Sequence, residues 1–164
     1  MLALLPRLRR FAYGLTGSID DGDDLVQTTC ERAIRHIDTW QPGTRLDSWM
    51  YRIARNTHLN AVRASRVRRN HLQSVDSDDM GRVDGARAME ARLTFAAVRD
   101  FVARLPEEQR AVVLLVCIEG KSYKDVSEIM DLPVGTVTSR LARARLALKA
   151  LIDGPVDTDA RGEP

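Results

Sequence analysis

The apolar residues of this 164-residue chain recur every three to four positions, and no alternating strand pattern of any length interrupts them. That spacing gathers them on one face of a helix, which excludes half-buried strands and predicts an all-α fold. Leu5, Leu8, Ala12 and Leu15 share a face of a first tract that ends at Gly17. Val26, Cys30, Ala33 and Ile37 follow at i, i+4, i+7 and i+11 in a second. This tract begins near the acidic "DDGDD", where carboxylates suit the positive end of a helix dipole, and stops before the Pro-Gly turn of "QPGT". A third tract, from about Leu46 to Arg66, places Trp49, Ile53, Thr57 and Ala61 on one side.

The helical pattern then breaks. "VDSDDMGRVDGARAM" (75–89) has no large aromatic residue and is rich in Asp and Gly, as a flexible linker would be. Its "DSDDMG" fails as a calcium loop, because Met80 and Arg87 fall where oxygen ligands belong. Beyond it, "LTFAAVRDFVARL" reads as a helix. "PEEQRAVVLLVCIEG" reads as another, with Pro106, Glu107 and Glu108 at its start and Gly120 at its end. "SYKD" fits a capping box opening a short helix that carries Val126, Ile129 and Met130 inward and stops at "DLPVG". The expected architecture is two small helical domains, an N-terminal bundle (1–70) and a C-terminal helix-turn-helix domain (93–153). A flexible linker (71–92) joins them, and a disordered tail (154–164) follows.

The net charge of +2 hides an asymmetry. Residues 1–70 hold twelve Arg against seven acids, and nearly all positive charge in the chain is Arg. The planar guanidinium fork suits phosphate, which hints at nucleic acid; an Arg-rich coding bias explains it equally well. No apolar run approaches the ~20 residues of a membrane span, and "MLALLPRLRR" lacks the pattern of a signal peptide. The chain is expected in the cytoplasm, without membrane insertion. Cys30 and Cys117 show no CxxC spacing and read as core positions. His36, His58 and His71 have no metal-ligand spacing. No nucleophile–base pair, phosphate loop or metal cluster is present, so neither an enzyme nor a cofactor is expected.

In "LPVGTVTSRLARARLAL" (132–148), Val134, Val137, Leu141, Ala144, Leu148 and Leu151 occupy an arc of roughly 100°. Thr136, Ser139, Arg140 and Arg143 face the other way, with Thr138 and Ala142 flanking them. A short helix, a tight turn and a second helix with small polar residues and Arg near its start form a helix-turn-helix, whose second helix suits the major groove. Spacing alone leaves open an αα-hairpin with a solvated Arg face.

The stretch from Leu105 to Leu148 resembles region four of bacterial RNA polymerase sigma factors, in particular the small extracytoplasmic-function (ECF) class. The marks are Leu105-Pro106, Gly120 with Ser122-Tyr123, Pro133, Gly135-Thr136-Val137, Ser139-Arg140-Leu141 and Ala144-Arg145. "DDLVQTTCERAI" resembles the region-two helix that holds the β′ clamp helices of polymerase. "LDSWMYRIARNTHLNAVR" resembles the segment that melts and reads the −10 promoter element. The resemblance covers nearly the whole chain outside the linker and tail. Thr28, Thr29 and Cys30 depart from residues that are often acidic or bulky in the family, and Met130-Asp131 stands before the turn where Leu-Gly is common.

The resemblance implies an ECF sigma factor whose partners are core RNA polymerase (β′ clamp helices and β flap), promoter DNA and an anti-sigma factor. It places Asn56 and Asn60 on −10 bases. Tyr51, Arg52, Arg55, His58 and Arg63 would track phosphates or stack, and "RASRVRR" (63–69) adds a basic cluster. Outward-turned bases need such donors, acceptors and stacking faces. Thr136, Thr138, Ser139 and Ala142 fall at −35 reading positions, with Arg140 and Arg143 on phosphate or guanine. Asp24, Gln27 and Glu31, extended by Arg35, fall on the polymerase-facing side of the second helix. Trp49 reads as packing, and Trp40 is left unassigned. A linker of ~20–25 residues spans at most ~70–85 Å, enough for two lobes to dock at separate promoter elements, or for a repressor to clamp them closed. The alternatives are an autonomous helix-turn-helix regulator and a sigma mimic that titrates an anti-sigma factor.

Overall fold

A computed structural model of the chain describes residues 2–71 and 98–153. The expected linker, apart from His71, and the expected tail lie outside the described residues. Seven α-helices and no strand occur among those described. The N-terminal lobe holds α1 (Leu5–Thr16), α2 (Ile19–Arg35) and α3 (Leu46–His71). The C-terminal lobe holds α4 (98–104), α5 (Glu107–Val113), α6 (Tyr123–Met130) and α7 (Val134–Asp153).

Local chemistry sets the helix ends. Gly17 closes α1 at φ +76°, a left-handed conformation that lacks the Cβ penalty only for glycine. Ser18 then caps α2 by accepting from the Asp21 amide, with Asp20 and Asp21 in the first turn and Arg32 and Arg35 in the last. The Ser122–Asp125 capping box forms as the sequence predicts. Asp131 closes α6 at φ +53°, a left-handed conformation that a residue with a Cβ rarely adopts.

Leu8, Phe11, Ala12 and Leu15 of α1 are buried against Leu25, Val26 and Ala33 of α2 and Met50, Tyr51 and Ala54 of α3. Phe11 meets Tyr51 edge to face, with ring centroids 5.0 Å apart. Val112, Leu115, Val126, Ile129, Met130, Val137 and Leu141 of the C-terminal lobe continue the same buried cluster. Phe101, Leu105 and Ala144 make a second cluster between α4 and α7.

Three expected core positions outside α7 differ. Ile37 is 41% exposed, because α2 ends at Arg35 and Ile37 opens a separate 3₁₀ turn (Ile37–Thr39). Ala61 is exposed on the second half of α3, which runs on to His71 rather than ending near Arg66. Cys117 is exposed as well. It lies two residues beyond buried Leu115, on the opposite side of a π-helical turn (Leu114–Ile118) that continues α5. Cys30 packs half-buried against the core, as does Trp49.

The two lobes pack together. A Cβ on Gly14 of α1 would overlap the Leu114 side chain of the C-terminal lobe, so the bare glycine lets the two approach.

Candidate nucleic-acid interface

From Asn60 onward α3 turns mostly to solvent, and Asn56 one turn earlier shares that exposed face. Asn56, Asn60 and Arg63 are exposed there, one turn apart, and free to meet a base edge or phosphate. Arg52, Arg55 and His58, on the neighbouring side of α3, turn instead to the C-terminal lobe. Arg52 donates to the Glu128 carbonyl, and Arg55 donates to the Met130 carbonyl at 3.2 Å. Burial works against the charge on the Arg55 guanidinium. His58 Nε2 lies 3.0 Å from Glu107 Oε1, and burial pushes its imidazole below the ordinary value against the pull of that carboxylate. Tyr51 is not available to stack on a base. It is 2% exposed, and its hydroxyl donates to Glu119 Oε2 at 2.6 Å.

A groove lies at the start of α3, lined by Thr39, Trp40, Thr44, Ser48, Trp49 and Arg52, with Glu128 of the other lobe on its rim. The buried Trp40 indole Nε1 has no hydrogen-bond partner among the described residues. Sequence reasoning left Trp40 unassigned; a large aromatic outside the helical stripes was the available signal.

On α2, Asp24, Gln27, Glu31 and Arg35 form one exposed row, with Gln27 donating to Glu31 at 3.1 Å. Ile34 stands beside it at 64% exposure. On α7, Val137, Leu141 and Ala144 face inward as expected, whereas Val134 is 45% exposed in the first turn. Thr138, Ser139, Ala142 and Arg143 are exposed, and Thr136 is half-buried. Arg140 is half-buried and ion-paired with Glu108 of α5, so it is less free than Arg143 to reach DNA.

Two residues that the sequence did not flag sit between the lobes. The Glu119 side chain is fully buried and accepts from Arg7 Nε at 3.0 Å and Arg10 Nε at 2.9 Å, besides Tyr51. Lys121, also buried, donates to Asp47. Burial works to raise the Asp47 carboxyl, but hydrogen bonds from Lys121 and Arg45 outweigh it and hold the group at about 2. Glu119 caps the negative end of its helix, where a carboxylate is unfavourable. That local conflict was the sequence signal for a partner elsewhere.

Comparison with known proteins gives these surfaces a family. Residues 1–68 match the model for sigma-70 region 2, and residues 95–148 match that for sigma-70 region 4. The ECF RNA polymerase sigma factor EcfG of Rhodopseudomonas palustris is 38% identical over 159 residues, covering 96% of this chain and 86% of its own. The chain belongs to the ECF sigma factors. Among solved structures, this sigma factor superposes on the sigma factor RpoE of Bartonella quintana, in complex with the anti-sigma factor NepR. The TM-score is 0.81, with 29% identity over 95% of this chain and 94% of that one. It also resembles CnrH in complex with the cytosolic domain of CnrY (TM-score 0.68, 26% identity, covering 93% and 84%). No helix among the described residues of this sigma factor is long and apolar enough to cross a membrane.

Proposed function

We propose that this ECF sigma factor binds core RNA polymerase through the Asp24–Gln27–Glu31–Arg35 row of α2 and directs it to promoters whose −10 and −35 elements are read by different lobes. The observation that carries the reading is the arrangement of two exposed polar helix faces, α3 and α7, on lobes that match regions two and four in that order. Asn56 and Asn60 hydrogen-bond the edges of outward-turned −10 bases, with Arg63 on the backbone. The groove beside Trp40 and Trp49 supplies an aromatic wall for a base taken out of the stack. Arg52, Arg55 and His58 join that surface once the lobes separate. On α7, Thr138, Ser139 and Ala142 meet the −35 base edges while Thr136, Arg140 and Arg143 hold the flanking phosphates. The chain's role is to position polymerase and stabilise melted DNA, with no covalent step of its own. An anti-sigma factor holds it inactive, a reading supported by the anti-sigma factors seen on both structural relatives.

Run-off transcription with core polymerase and genomic promoter fragments tests this. Promoter-specific transcripts should require the chain and fall with Asn56→Ala or Arg143→Ala. Duplex binding by the chain alone, without any transcript, would point to an autonomous regulator instead.

A further inference from the structure

We propose that the two lobes hold each other closed without any partner, that the Glu119–Gly120–Lys121 turn is the latch, and that closure masks part of the −10 surface. The turn carries one buried negative and one buried positive side chain, and the N-terminal lobe meets each with its opposite. Arg7, Arg10 and Tyr51 converge on Glu119, and Asp47 on Lys121. Backbone geometry fixes the presentation. The π-helical turn gives the Glu119 amide its bond to the Leu114 carbonyl, and Gly120 at φ +64° sends the chain back so that the Lys121 amide bonds the Leu115 carbonyl. The side chains of residues 119 and 121 then lie together against α1 and α3.

Three further contacts join the lobes, the last of them sharing Asp47 with that cluster through Arg45. Gly14 admits Leu114, Arg110 donates to the Leu15 carbonyl at 2.6 Å, and Arg45 pairs with Asp125 at 3.0 Å. The cost to DNA reading is explicit, since closure engages Arg52, Arg55 and His58 with Glu128, Met130 and Glu107.

The same chemistry makes the latch reversible. Desolvating ion pairs consumes most of what their attraction returns, so a fully paired cluster is only modestly favourable, whereas removing one member strands its partners in the interface. Opening returns every one of these groups to water. A binder that prefers the open lobes must overcome that small polar balance together with the apolar surface the lobes share, and one that prefers the closed lobes needs only to add to them.

The test places a donor and acceptor fluorophore on Ile19→Cys and Leu146→Cys, exposed positions of α2 and α7, in a Cys30→Ala, Cys117→Ser background of the full chain. Energy transfer should be high in the chain alone. Glu119→Gln should raise the open-to-closed ratio about tenfold, a change of about 1.4 kcal/mol. Arg10→Gln and Gly14→Gln, which alter only the N-terminal side, should shift transfer the same way; they keep the test valid if Glu119→Gln destabilises its own lobe. Low transfer in the parent chain, or transfer unmoved by all three changes, would overturn the latch. The masking rests on the promoter-reading function proposed above. At limiting polymerase and with no anti-sigma protein present, the opened variants should give several-fold more run-off transcript than the parent, and equal yields would overturn the masking. If no variant transcribes even with saturating polymerase while transfer still shifts, the latch stands and the sigma reading fails.

Discussion

Asn56 and Asn60 do little for the fold, since both side chains are exposed and Asn56 accepts only from its neighbour Arg55. Replacing either with Ala should leave thermal stability within ~0.5 kcal/mol. A lost bidentate base contact is worth about 1–3 kcal/mol, so promoter opening should fall roughly five- to a hundredfold, read by open-complex yield on linear templates. Tyr51 carries the reverse balance. Its hydroxyl, raised well above the ordinary phenol value by burial and by the Glu119 hydrogen bond, stays protonated and donates to a buried carboxylate. Tyr51→Phe removes that donor and should destabilise the chain by about 1–3 kcal/mol in denaturant melts, with the aromatic packing on Phe11 kept. The helical stripe of α3 placed Trp49 and Ile53 correctly but could not reveal Tyr51 as buried, because the surface covering it comes from a segment about seventy residues away.

Among the elements, those governed by neighbours in sequence were legible. The Ser122 capping box, the Gly17 and Gly120 ends and the inward Val126, Ile129 and Met130 follow from local hydrogen bonding and 3.6-residue periodicity. What was not legible depends on tertiary contact. "VVLLVCI" is apolar all round, so its pattern could not say that Cys117 faces water, and nothing local foretells a π turn. Arg140 lay on the face that reads as DNA-contacting, yet Glu108 of α5 engages it. The α6–α7 turn offers a direct check. Asp131 holds φ +53° with a Cβ that disfavours it. Asp131→Gly relieves that strain at a smaller cost in chain entropy, and should stabilise the protein by about 0.5–1 kcal/mol in thermal melts.

In the whole molecule, residues 1–68 match sigma-70 region 2 and residues 95–148 match region 4, and the proposed −10 and −35 readers divide between them. The resemblance supplied that division; the sequence could not supply the packing of one lobe on the other, which rests on pairs such as Arg7–Glu119 and Lys121–Asp47. The Lys121–Asp47 pair and the His58–Glu107 contact give closure a pH dependence of known sign. His58 is depressed in the closed form, so its contribution is fully present above its ordinary value near 6.5 and is lost as pH falls through its lower, closed-state value. Asp47, held at about 2, contributes above its ordinary 3.8 and loses that contribution between about 4 and 2. Both act in one direction, and the stability of the closed chain should decline from mildly acid pH downward in denaturant titrations.

The account stands or falls on whether the chain makes polymerase open DNA. Permanganate oxidises unstacked thymines, so a footprint on promoter fragments bound by core polymerase and this chain reads melting directly. Reactive thymines confined to the −10 region, absent without the chain and weakened by Asn56→Ala, are the expected result. A duplex that stays unreactive throughout, while the chain still binds it through α7 alone, would contradict the account.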